Sequence, residues 1–291
     1  MPALRSFLLL AALATASLHC AATPDSEPGD DSDALDEALK SKGSPKWIYT
    51  GLLPHLEDAS VTVSLSAHTA RVTGLLPDGF AGDLPYYAEV IWKEGRGELS
   101  VVYPVATGAK TNGPGEYPDI RALAWTPTTE KAAWGGFPFL EYNHKRGLAL
   151  HGPITAKDGE WQLKRGPVSH GCNRMQGEHV VEVAHLLGID MGVPHKASEQ
   201  FELDVPVHVS HDVDVWEGHR VDVDYPVLSG VKRPEGEDVK MFRTWDSRKM
   251  PTIVCPYDKT RELGADHCEA YGPDTVDVVT GEAITPAPAD G

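Results

Sequence analysis

Two short stretches hold the residues whose types and spacing could do chemistry. One is Leu148-Ala-Leu-His-Gly-Pro, which ends an apolar run on His151 and Gly152; the other is Arg165-Gly-Pro-Val-Ser-His-Gly-Cys-Asn-Arg-Met, which sets Cys172 behind Ser169, His170 and Gly171 and ahead of Arg174. A thiol, an imidazole and glycine-rich backbone are the parts of a nucleophilic acyl-transfer site. An ordinary thiol, with a pKa of about 8.5, is mostly protonated at neutral pH and needs a nearby base or a helix N-terminus to act. The spacing predicts both: His151 approaches across a sheet, and a helix starting near Gly177 directs its positive end toward Cys172. Two other readings use the same residues. Cys172 could be an inert buried thiol, since free cysteine is among the most buried residue types. His151, His170 and Cys172 could instead be zinc ligands, but only His170-x-Cys172 is closely paired, whereas a structural zinc site usually brings two short ligand pairs. No metal and no cofactor are therefore expected.

His151-Gly152 followed by Ser169-His170-Gly171-Cys172-Asn173-Arg174-Met175 closely resembles the catalytic signature of the bacterial L,D-transpeptidases. Weaker likeness runs upstream through Tyr103-Pro-Val-Ala-Thr-Gly108 and Phe137-Pro-Phe-Leu-Glu-Tyr-Asn143. The resemblance implies a β-sandwich fold in which Cys172 is the nucleophile and His151 the general base. The Gly152 carbonyl would then hold the other ring nitrogen, so that the third member of the triad is a backbone group. It implies further that the amides of Gly171 and Cys172 form an oxyanion hole, that Ser169 and His170 shape the pocket, and that Arg174 buttresses the loop or meets a substrate carboxylate. The implied reaction is acyl transfer on peptidoglycan stem peptides. A Cys172 thioester forms from a tetrapeptide donor, and the amine of a neighbouring diaminopimelate resolves it into a 3-3 cross-link. Water in place of the amine would make the same site an L,D-carboxypeptidase, and a chain that kept the fold without the activity would be a non-catalytic wall-binding module. Asn173 departs from the family pattern, which has an apolar residue there.

Other conspicuous residues have plainer readings. His208 and His211, near Asp212 and Asp214, suggest a second metal site less than a solvated strand edge. Tyr142 and Trp134 read as core aromatics rather than cleft lining. Trp216 and Trp245 receive no assignment.

The elements that must position the motif are mainly strands. Val61, Val63 and Leu65 alternate with polar residues across Ser60 to Ala67, and further extended segments are expected at Arg71 to Leu76, Tyr87 to Trp92, Leu99 to Val105, Leu148 to His151 and Val205 to Val209. Turn residues separate them, among them Gly95-Arg96-Gly97. One stretch follows a helical period instead: Val180, Val183, Ala184 and Leu187, with Gly188 placed as a C-terminal cap. The expected fold class is thus mainly β with at least one short helix after Cys172. Residues 84–212 are expected to form the catalytic domain, 47–83 a small β segment before it, and 213–291 a less regular tail of unassigned role.

The ends of the chain bear on where it works. Arg5 precedes an apolar run from Phe7 to Leu13, and residues 1–22 read as an export signal. Cleavage near Ala14 and Ala16, or directly before Cys20 with a lipid on that thiol, both fit the pattern. Residues 23–46, acidic and nearly free of apolar side chains, read as a disordered tether. The expected location is the periplasm or cell envelope. A formal net charge of -17 with no basic cluster excludes nucleic acid as a partner. Four cysteines complete the reading. With Cys20 removed or lipidated and Cys172 kept free to act, an oxidising compartment leaves Cys255 to pair with Cys268.

Overall fold

Short extended segments bounded by turn residues build two main sheets. The computed structural model describes residues 47–109, 113–125, 137–152, 163–195, 199–244, 254–256 and 279. The export segment, the tether, Trp134, Trp245 and the loop at 153–162 lie outside them. β1 (Trp47–Tyr49) is followed by β2 (Glu57–Ser64), β3 (Thr69–Leu75), β4 (Glu89–Lys93) and β5 (Arg96–Pro104). Strands β4 and β5 join through Glu94 and Gly95, both at positive φ (52° and 84°), the two-residue turn whose twist suits a hairpin. The chain continues through β6 (Ala106–Gly108), β7 (Gly115–Tyr117), β8 (Ile120–Leu123), β9 (Phe139–Asn143), β10 (Leu148–His151), β11 (Gly166–Ser169) and β12 (Asn173–Arg174). After helix α1 (Gly177–Leu186) come β13 (Gln200–Leu203), β14 (Val207–Ser210), β15 (Val215–Trp216), β16 (His219–Asp224), β17 (Val239–Arg243) and β18 (Val254–Pro256).

A six-stranded sheet runs β4-β5-β3-β2-β14-β7 and a seven-stranded sheet runs β11-β6-β12-β10-β9-β8-β13. Their inner faces share one core, in which Val61, Val63, Leu99 and Val101 from the first meet Ile120, Leu140 and Leu150 from the second, together with Val180, Val183 and Ala184 of the helix. The fold is mainly β with a single short helix among the described residues, as its sequence predicts. Residues 47–83 do not stand apart from 84–212. β2 and β3 are interior strands of the six-stranded sheet, paired to β14 in parallel and to β5 antiparallel.

The helix stops where the glycine demands it. Gly188 adopts φ +102°, its N–H donates to the His185 carbonyl at 3.0 Å, and the Ile189 N–H donates to the Ala184 carbonyl at 3.1 Å. These two bonds are a Schellman cap, and they satisfy carbonyls that the helix end would otherwise leave bare.

The segment after Asp212 is more regular than expected. β15, β16 and β17 form a three-stranded sheet in which Trp216, Val221, Val223 and Phe242 pack as a second cluster with Val102 of β5. Its sequence hides this because Val221, Asp222 and Val223 are all buried in succession, so no period-2 pattern marks the strand. Among the described residues no helix is long and apolar enough to cross a membrane.

Candidate active site

Parallel pairing of β10 with β12 brings the two sequence stretches together. Leu150 lies opposite Asn173 and His151 opposite Arg174, and the Met175 N–H donates to the His151 carbonyl at 2.8 Å. Cys172 immediately precedes β12, one residue before the Asn173 that lies opposite Leu150. On the other side β12 pairs with β6 through Arg174 and Ala106, while β11 runs parallel to β6, so Ser169 and the turn His170-Gly171 arrive from the sheet edge.

His151 is fully buried, and its Nδ1 donates to the Gly152 carbonyl at 2.6 Å. That bond leaves Nε2 as the acceptor of the neutral ring, the tautomer a base needs. Burial, with a smaller contribution from the nearby Arg174 guanidinium, lowers its pKa to about 3 against the opposing effect of the Gly152 bond. Glycine at 152 is required sterically: a Cβ there would stand 2.7 Å from the Phe137 Cβ, and one at Gly177 would strike the same ring at 2.0 Å. Phe137 thus seals the space between the end of β10 and the start of α1, and Trp47 stacks on its outer face at 4.7 Å.

Cys172 is buried and disulfide-bonded. This corrects the expectation that it stays free. Its partner is one of Cys20, Cys255 and Cys268, whose side chains lie outside the described residues, as does the expected Cys255–Cys268 bridge. The cysteine arithmetic took reactivity as a reason for a thiol to remain unpaired. In an oxidising compartment a reactive thiol with a partner in reach is instead the first to pair. The sulfur also lies 3.6 Å from the Gly147 carbonyl, a contact that becomes a weak S–H donation only in the reduced form.

The remaining expected residues differ in exposure. Ser169 is buried and its carbonyl accepts the Ala109 N–H at 2.8 Å, whereas His170 is exposed. Gly171 adopts φ +156°, which residues with side chains rarely do. Arg174 is half-buried with its pKa lowered by desolvation, and its buried Nε has no hydrogen-bond partner among the described residues. Asn173 is fully buried; its amide nitrogen donates to the Tyr142 hydroxyl at 2.9 Å, and its Oδ1 has no hydrogen-bond partner among the described residues.

Sequence reasoning missed the brace behind this loop. Arg165, just before β11, is 1% exposed, and each of its five guanidinium N–H groups has an acceptor. They are the carbonyls of Ala67, His68, Val223 and Tyr225 and the carboxylate of Asp222 on β16, which Arg233 also binds at 2.5 Å. Arg165 stands in the quoted motif stretch, but nothing in the sequence near Asp222 marks it as an inward-facing partner. Of the other acids and histidines considered, Asp214 is taken by Arg71 through two bonds of 2.6 and 2.8 Å, and exposed His208 pairs with Glu116 at the edge of the six-stranded sheet.

No family model matches the chain, and no curated protein matches it. Among solved structures, Bd1075 of Bdellovibrio bacteriovorus is similar at 14% identity and a TM-score of 0.31. The match covers 58% of this chain and 55% of that one, and at this level of likeness it carries no argument about function.

Proposed function

We propose that this chain is a cysteine acyltransferase of the L,D-transpeptidase type that acts on peptidoglycan stem peptides once Cys172 is reduced. The observation that carries the reading is the buried His151, whose Nδ1 is tied to the Gly152 carbonyl at 2.6 Å on the strand paired with the one that follows Cys172. A ring so fixed offers Nε2 to a thiol proton. In the reduced form the thiol passes its proton to His151 as the sulfur attacks the donor carbonyl, and the amides of Gly171 and Cys172 receive the oxyanion. Collapse expels the terminal D-alanine, whose amine takes the proton back from His151, and leaves a thioester. An amine from a second stem, or water, then resolves it. Arg174 fits the substrate's carboxylate: its partly desolvated guanidinium lies across the strand pair from the base, and its Nε has no hydrogen-bond partner among the described residues.

The disulfide favours one competing reading, a wall-binding module in which Cys172 only cross-links the fold. Reduction separates the two. Mature protein, untreated or reduced with a small dithiol, is incubated with disaccharide tetrapeptide and, separately, with a carbapenem. The enzyme reading expects products and one drug equivalent on Cys172 only after reduction, with cross-linked dimer marking transfer and tripeptide marking hydrolysis. Reduced, folded protein that takes no drug and turns over no peptide would establish the binding module instead.

A further inference from the structure

Among the described residues, the one set of three metal-ligating side chains whose ligand atoms all lie within 4.8 Å of one another is away from Cys172: His55, His185 and Asp190. We propose that these residues form a binding site for a divalent transition-metal ion of the zinc class. His55 comes from the loop between β1 and β2, His185 from the last turn of α1, and Asp190 from just beyond the Schellman cap.

His55 Nε2 stands 3.3 Å from His185 Nδ1, with the rings edge to face and their centroids 4.3 Å apart. At this distance the two nitrogens are within hydrogen-bond reach of each other. Two nitrogens each about 2.0–2.1 Å from a tetrahedral ion are held about 3.3–3.4 Å apart by that geometry alone. The observed separation also matches the edge of such a tetrahedron.

The main chain builds this closeness in. The Leu56 N–H donates to the Leu186 carbonyl at 2.9 Å and the Tyr49 N–H to the Met191 carbonyl at 2.8 Å, so the loop carrying His55 is laced to the helix end on both sides of the histidine. The Tyr49 ring packs on the His185 ring with centroids 4.4 Å apart, and main-chain groups of Leu53 and Ile189 hydrogen-bond to the same imidazole. Carbonyl bonds of this kind fix the orientation of ligating histidines. Asp190 is anchored as well. Its Oδ1 accepts the Gly192 N–H at 3.1 Å, and its carbonyl meets His195 Nε2 at 2.8 Å. Asp190 is exposed and both histidines are half-buried, so an ion would keep one position open to water on the solvent side. Two nitrogens and one carboxylate oxygen suit zinc and its neighbours rather than calcium or magnesium, which take all-oxygen sets.

The test uses the intact mature chain without a histidine tag, in its disulfide form. Equilibrium dialysis against Zn²⁺ should show one saturable equivalent. His55→Ala and Asp190→Asn should each weaken it at least about ten-fold while leaving the far-ultraviolet circular dichroism unchanged; both side chains reach solvent, so neither change empties the core. Co²⁺ in place of Zn²⁺ should give visible bands of nitrogen and oxygen ligation without a thiolate charge-transfer band. Absence of saturable uptake, uptake unaffected by both substitutions, or a thiolate band would overturn the site. None of these readouts depends on turnover at Cys172, so the metal site and the acyltransferase reading stand or fall separately.

Discussion

At the scale of single residues, His151 carries the heaviest demand. With the sulfur held in a disulfide, no thiolate charge faces the ring, and burial keeps it neutral well below the ordinary histidine range. In the proposed reaction the proton of the reduced sulfur passes to His151, a contribution of about 10²–10⁴-fold for a positioned base. His151→Ala in the reduced protein should therefore slow carbapenem acylation by about that factor, followed by intact mass against time. An unchanged rate would move the base to His170, which is exposed. Asn173 illustrates the same scale differently. Its amide nitrogen donates to the Tyr142 hydroxyl, while its buried Oδ1 has no hydrogen-bond partner among the described residues, so the departure from an apolar residue is only half matched.

At the scale of elements, α1 is fastened to the sheets through a buried carboxyl. Glu182 accepts hydrogen bonds from Tyr49 at 3.0 Å, Tyr87 at 2.8 Å and Tyr103 at 2.8 Å, which draws β1, β5 and the segment before β4 onto one helical position. Burial pushes its pKa up to about 7, while the three hydroxyl donors pull the other way. Because the folded value lies above the ordinary 4.5, the folded chain holds this proton more tightly than the unfolded chain. The resulting stabilisation is full below about pH 4.5 and is lost as the pH rises through about 7. Relative to Glu182→Gln, which cannot ionise, the wild type should lose up to roughly 3 kcal/mol between pH 5 and pH 8, measured by urea unfolding at each pH. Parallel stability curves for the two proteins would show that Glu182 titrates as an ordinary surface carboxyl does.

At the scale of the whole molecule, the three-stranded sheet after Asp212 is the brace of the loop that carries Cys172. Arg165 and Asp222 are both fully buried, and their pair joins the start of β11, the turn at Ala67 and His68, and β16. Breaking a buried ion pair by deleting one partner typically costs about 3–5 kcal/mol, because the charge left behind has no water to solvate it. Asp222→Ala should lower unfolding stability by that amount. Glu217→Ala, which removes an exposed partner of Lys93, should cost under about 1 kcal/mol. Similar losses from the two substitutions would mean that the sheet is not anchored through Arg165.

What the sequence determined by itself is whatever is written locally. Alternation placed β2, β3, β5, β10 and β14 within a few residues of their bounds, and the glycine after an apolar helical stripe marked the end of α1, because period and turn chemistry are properties of neighbouring residues. The Gly152 carbonyl as the partner of His151 came from the family resemblance, and the structure shows that bond at 2.6 Å. Only the tertiary structure decided the rest. It set Arg174 beside His151 across two parallel strands, chose Asp222 as the partner of Arg165, gathered His55 with His185 and Asp190, and committed Cys172 to a disulfide. Each of these joins residues far apart in the chain. Their meeting depends on which strands pair and in what register, and that is settled by the burial of the whole core rather than by any local pattern.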